Sequence, residues 1–392
     1  MTTPITTALL APDKFKGTLG AAEVVEALAR GIRDTAPAVE LLACPIADGG
    51  DGTVDAALAA GAKERTSLIT GPTGESRSAR WALSDGLAVV ELAEAVGLRA
   101  LPGDELAPRA ASTRGLGELI LAAVAAGARS VMVGLGGSSS TDAGAGLLQG
   151  LGGRLLTAAG EDIAAGVDGL ATLASVDLAP ALEALEGIEL IAASDVTNPL
   201  LGDDGATAVY GPQKGIPSED IAVVDAVLGA AAEILDPAHA CRDAAGAGAA
   251  GGTGFALFLL GAAQRSGADA VFELAGVESL LARADVAVTG EGKLDAQTLQ
   301  GKGPAEIARR AHDLGLPVAA VAGAITLSED ELHEAGITRA WDLTSRAGSV
   351  EKAIADPARW LVEVGRDLGT WLVDAPQQEH AAARDGSGAA GR

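Results

Sequence analysis

The chain has 392 residues, 48% hydrophobic, 21% charged and only 2% aromatic, with a formal net charge of −25. Such a length leads to an expectation of two domains rather than one core, and so acidic a surface argues against nucleic acid as a partner. Two cysteines, Cys44 and Cys241, make no disulfide framework, and no run reaches the roughly 18 apolar residues of a membrane span. The start, "MTTPITTALLAPDKF", has no basic region ahead of its short apolar run, so a cytoplasmic protein is expected.

In chain order, "TTALLAP" reads as a strand, "AAEVVEALARGIRD" as a helix, "VELLACPI" as a second strand, and Gly52 to Ala60 as a second helix. "ERTSLIT", "SARWAL" and "LAVVELA" follow with Gly and Pro between them, a pattern that predicts a local β meander. Then come the helix "RGLGELILAAVAAGA", the strand "SVMVGL", a helix around "AGAGLLQGLGGRLL" and the strand "IELIAAS". Regular winding resumes with strand "DVAVTG", helix "PAEIARRAHDLG", strand "PVAAVAG", a short helix, strand "TRAWDL" and a terminal helix to about Val373. The fold class expected is α/β with two domains. Residues 1–63 and 284–373 form a discontinuous Rossmann-like parallel-sheet domain, 64–283 an inserted mixed α/β domain, and 374–392 a disordered tail.

Only seven of the 28 basic residues are lysines. Lys14 and Lys16 lie in "PDKFKGT", Lys214 in "GPQKG", Lys293 in "GEGKLD" and Lys302 in "QGKGP", most at expected strand ends, where open α/β sheets bind ligands. Compact ammonium groups suit a polyphosphate whose charge moves during reaction. Carboxylates accompany them: Asp13, Asp48 and Asp51 in "ADGGDGT", Asp195 after "IELIAAS", and Glu291 and Asp295 flanking Lys293. Beside lysines, such groups can hold Mg²⁺ or take a proton from a hydroxyl, although Asp in "DGG" or "DVTNP" is also a turn former. Asp195 would project from a strand's carboxyl end and is read as the general base or a metal-adjacent carboxylate.

"GLGGSSSTDAGAG", Gly134 to Gly146, places small residues and hydroxyls at a strand-to-helix junction. Gly136 and Gly137 would let backbone approach a ligand, and Ser138, Ser139 and Ser140 would add donors, so a phosphate cradle is expected. N-capping alone needs one hydroxyl. No GxxxxGK[ST] occurs, "GAGAAG" from Gly246 follows no strand-like run, and the four histidines form no metal pair.

"APDKFKGTL", "PIADGGDGT", "STRGLGELI", "GLGGSSSTDAGAG", "SDVTNPLLGDDGA", "YGPQKG", "TGEGKLDAQTLQGKGP" and "VAGAI" occur in that order. Together they resemble the bacterial glycerate kinase family, of the type that makes 2-phosphoglycerate, from roughly Ala8 to Leu372. The resemblance implies ATP-dependent phosphorylation of D-glycerate with Mg²⁺ in two α/β domains. It implies catalytic roles for Asp195, Lys293 and Asp295, a metal site at Asp48 and Asp195, and phosphate or nucleotide contacts from Gly136, Gly137, Ser138 to Ser140, Lys14, Lys16, Lys214 and Lys302. The Gly/Ser loop also superficially resembles that of GHMP-type kinases, but the later lysine-rich segment counts against that reading. A non-catalytic nucleotide-binding module would not need so many paired Lys and Asp positions.

Overall fold

A computed structural model describes residues 5–47, 49–296, 298–300 and 303–386. The chain divides into two compact units, Met1–Ala47 with Val271–Arg392, and Asp48–Ala270. In chain order the first unit opens with β1 (Thr7–Pro12) and β2 (Glu40–Ala43). The second contains β3 (Lys63–Thr70), β4 (Ser76–Ser84), β5 (Leu87–Glu91), β6 (Ser130–Gly134), β7 (Arg154–Leu156), β8 (Ser175–Asp177), β9 (Glu189–Ala193) and β10 (Ala263–Arg265). The first unit resumes with β11 (Val286–Leu294), β12 (Val318–Ile325) and β13 (Arg339–Asp342).

The first unit is built on an all-parallel sheet in the order β13-β12-β11-β1-β2. The central strand β1 is apolar along its length, with Ala8, Leu9, Leu10 and Ala11 fully buried, as a strand covered on both faces requires. The helix Ala21–Thr35 spaces Val24, Leu28 and Ile32 at four-residue intervals, which puts them on one face against the sheet. It crosses the helix Pro357–Gly386 at glycines: a Cβ on Gly31 would lie 2.1 Å from the Val362 carbonyl, and one on Gly365 2.5 Å from that of Leu28.

The second unit is built on a mixed sheet, β10-β9-β6-β5-β4-β3, plus the antiparallel pair β7–β8. Strands β5, β6, β9 and β10 are parallel, and the β3–β4–β5 meander is antiparallel. The protein is thus α/β, with one parallel and one mixed sheet. No helix among the described residues is long and apolar enough to cross a membrane.

The joints fall at 47/48 and 270/271, not at 63 and 284. The helix Thr53–Ala59 belongs to the inserted unit because its Val54 amide donates to Glu91 on β5. Phe272 belongs to the other, lying 5.1 Å beneath the Arg310 guanidinium. The segment "GGRLL", read as helix, leaves the helix Ala145–Gly150 at paired glycines and enters β7. The last helix runs through Gly386, so the backbone of 374–386 is helical where disorder was expected. Residues 387–392 lie outside the described residues.

Candidate active site

The second unit gathers its candidates at the carboxyl edge of the mixed sheet. After β6 the chain turns through Leu135–Thr141 against the loop 49–52. A Cβ on Gly136 would sit 2.4 Å from the Gly50 Cα, and one on Gly137 2.5 Å from Asp51 Oδ1. These glycines therefore let two loops touch backbone to backbone, with a carboxylate at their side, rather than clear a path for an anion.

The three serine hydroxyls of that turn are engaged inside the protein, whereas Thr141 Oγ1 is buried with no hydrogen-bond partner among the described residues. Ser139 Oγ donates to the Val96 carbonyl at 2.7 Å, and Ser138 Oγ lies 3.2 Å from the Ala250 carbonyl and 3.3 Å from Ser140 Oγ. Ser138, Ser139 and Ser140 are buried. Nor does the helix after them present free amides. Asp142, wholly buried, accepts from Thr113 N and Oγ1 at 2.9 Å and from Gly144 N and Gly146 N at 3.2 Å. Thr113 Oγ1 in turn accepts from Leu147 N. A built-in carboxylate thus engages the amides at the start of this helix. Burial raises the Asp142 pKa, against the pull of those donors.

Lys214 is also not a surface cation. It is 2% exposed, and its Nζ donates to the Ser140 carbonyl at 2.5 Å, with Ser138 Oγ at 3.4 Å. Burial pulls its pKa down to about 7, opposed by the Asp142 charge. It pins the Gly/Ser turn from within, and the three serine hydroxyls bond inside the protein as well.

Asp195 stands exposed just past β9, and its Oδ1 accepts from Gly267 N at 3.0 Å. Glu91, at the end of β5 beside Gly134, is 4% exposed and accepts from Val54 N at 2.5 Å. Burial pushes its carboxyl up to about 7 despite the Val54 and Gly52 amides.

The first unit places a second group at the carboxyl edge of its parallel sheet. Asp13, just past β1, is buried, and its Oδ1 accepts from Lys14 N at 2.6 Å. Lys14 is half-buried and Lys16 exposed. On β11, Glu291 is buried and accepts from Thr298 Oγ1 at 2.6 Å. Exposed Lys293 pairs with Asp295 at 3.1 Å. Beside them lies a cavity of about 360 Å³, whose lining combines Lys16, Glu291, Lys293 and Asp295 from the strand ends with Leu343, Val350, Ile354 and Pro357 from the segment after β13.

Each sheet's carboxyl edge therefore gathers some of the expected residues: Lys14, Lys16, Lys293 and Asp295 in one unit, Gly136, Gly137, Ser138 to Ser140, Asp195 and Lys214 in the other. Asp48 and Lys302 lie outside the described residues. Sequence reasoning passed over Asp142, though it sits inside the quoted glycine-serine stretch. It also passed over Glu91, which ends an apolar strand by the same pattern that singled out Asp195. No three His, Cys, Asp or Glu side chains among the described residues are grouped to hold a metal ion.

Two α/β units with lysines and carboxylates at the carboxyl ends of their strands have the make-up of an α/β enzyme, which places its reacting groups there. A family model described as "Glycerate kinase family" matches residues 8–373. The chain is 39% identical over 366 residues to "Glycerate kinase" of Bacillus subtilis (strain 168), covering 92% of this chain and 96% of that protein. It is 39% identical over 371 residues to "Glycerate 2-kinase" of Escherichia coli (strain K12), covering 93% and 97%. A crystal structure provisionally named glycerate kinase 2, from Salmonella typhimurium LT2, superposes with a TM-score of 0.80 at 37% identity, covering 95% of this chain and all of that one. The chain belongs to the glycerate kinase family.

Proposed function

We propose that the protein transfers the γ-phosphoryl group of ATP to the 2-hydroxyl of D-glycerate, giving 2-phosphoglycerate and ADP. The observation that carries this reading is the full-length likeness to a relative named glycerate 2-kinase. Phosphoryl transfer is mostly positioning and charge stabilisation. The exposed Lys293, braced by Asp295, and the neighbouring Lys14 and Lys16 supply mobile positive charge for phosphate oxygens.

Asp195 acts as general base toward the acceptor hydroxyl. Its exposed, hard oxygens also fit Mg²⁺, which is typically held by one or two carboxylates plus substrate phosphates. Asp48 is the second candidate ligand. When bound, Mg²⁺ would neutralise charge on the phosphate oxygens. In this reading the Gly136–Ser140 turn, Asp142 and Lys214 hold the edge of the mixed sheet in shape.

The test incubates the chain with D-glycerate, ATP and Mg²⁺ and follows products by phosphorus NMR. The expected result is stoichiometric ADP and 2-phosphoglycerate. Formation of 3-phosphoglycerate overturns the regiochemistry, and absence of glycerate-dependent ADP release overturns the activity.

A further inference from the structure

The cavity at the carboxyl edge of the parallel sheet is larger than glycerate needs. Its volume of about 360 Å³ lies within the roughly 300–1,000 Å³ of sites that enclose drug-sized ligands. It is also amphipathic. The strand ends contribute the ammonium groups of Lys16 and Lys293 together with the carboxylates of Glu291 and Asp295, the latter paired with Lys293 at 3.1 Å. The segment after β13 contributes Leu343, Val350, Ile354 and Pro357, none of which can answer the charge of a small hydroxy acid.

Two of those apolar side chains are not satisfied by the core. Val350 is 48% exposed and Ile354 58% exposed, both on the short helix Val350–Ala355. Apolar side chains left open around a cavity that also holds Lys16 and the Lys293–Asp295 pair suit a ligand with a flat apolar body and a phosphate tail that the two ammonium groups can reach. Glycerate has the anion without the body. A nucleoside diphosphate has both.

We propose that this cavity, wholly within the first unit, seats the purine nucleoside of the phosphoryl donor. The base lies against the Leu343–Pro357 segment and the phosphates reach toward Lys16 and Lys293. The inference rests on the kinase reading above and adds the donor's position.

The test uses the full chain and ADP alone as the probe, so that no turnover is needed. ADP affinity is measured by titration calorimetry for the wild type, Ile354→Glu and Val350→Glu, with melting temperatures recorded for each. Both positions are half open to solvent, so both variants should fold. A carboxylate placed against the base and near the phosphates should weaken ADP binding about tenfold or more. Photolabelling with 8-azido-ADP should mark peptides from 343–357.

ADP affinity unchanged in both folded variants, label found only on peptides of 48–270, or no ADP binding by the wild type overturns the assignment. Loss of ADP affinity in the variants supports it. If that loss occurs while the wild type shows no glycerate-dependent turnover, the activity proposed above fails and the nucleotide cavity stands.

Discussion

The two roles open to Asp195, turn cap and general base, call for side chains that differ by one atom. As a cap it needs only an oxygen to accept from Gly267 N, 3.0 Å away, and an asparagine carbonyl supplies one. As a base it needs the negative charge. Asp195→Asn should therefore keep the melting temperature and lower turnover by about 10²–10⁴-fold. If the Asn variant keeps more than about half its turnover, Asp195 is a turn residue and Asp295 is next in line.

Glu91 and Lys214 give opposite pH dependences. The folded chain holds the Glu91 proton up to about pH 7 against 4.5 for the free group, so its stabilising contribution is intact below 4.5 and is lost as pH rises to 7. The Lys214 ammonium is discharged in the fold near pH 7 against 10.5, so its contribution is intact above 10.5 and is lost as pH falls through 7. Both penalties operate together near neutrality, about 3 kcal/mol for Glu91 and about 4 kcal/mol for Lys214. In urea unfolding at pH 5, 7 and 9, Glu91→Gln should flatten the fall between 5 and 7, and Lys214→Met the rise from 7 to 9. Slopes matching the wild type would show that neither group carries this burden.

The lysines show where residue-level reading stops. "GPQKG" and "GEGKLD" look alike as Gly-flanked lysines, yet Lys214 is interior and Lys293 exposed. What separates them is the Ser140 carbonyl that Lys214 meets, a contact across 74 positions that no local pattern encodes.

At the scale of elements, periodicity carried the strands that hold the site. β1, β6, β9, β11 and β12 are short apolar runs bounded by Gly, Pro or Asp, and all are read directly from the sequence. The pairing β7–β8 was not legible, because three residues hold too few repeats of the two-residue strand period to show an alternation. The glycine crossing between Ala21–Thr35 and Pro357–Gly386 was also hidden, since it joins positions more than 300 residues apart. Gly31 lies within an otherwise good helix, where glycine costs helix stability unless contact demands it. Here contact does, with Val362 O only 2.1 Å from a Cβ at Gly31. Gly31→Val should force the two helices apart and destabilise the first unit by at least about 1–3 kcal/mol, seen as a lower thermal midpoint. A neutral or stabilising result would mean that the crossing yields easily. Gly136→Val should have a similar effect in the second unit, because its Cβ would meet the Gly50 backbone.

At the scale of the whole molecule, the two units are unequal in how they use the chain. The unit Asp48–Ala270 is continuous and carries every strand of its mixed sheet together with a large core around Val90, Leu119, Val133 and Phe255. The other is assembled from two distant segments, and the division runs through its sheet: β1 and β2 come from the first segment, while β11, β12 and β13 come from the second. Residues 271–392 alone would leave β11 as an edge, with Val286, Val288 and Gly290 lacking the β1 partner they have in the complete chain. An open apolar edge of that kind invites association with other chains. Residues 48–270 expressed alone should therefore fold cooperatively, with a near-ultraviolet circular dichroism signal from buried Trp81 that melts in a single transition. Residues 271–392 alone should aggregate or remain unfolded, and should recover solubility and helicity when residues 1–47 are supplied as a separate peptide. A soluble, cooperatively melting 271–392 fragment would show that β11, β12 and β13 form a stable layer without β1.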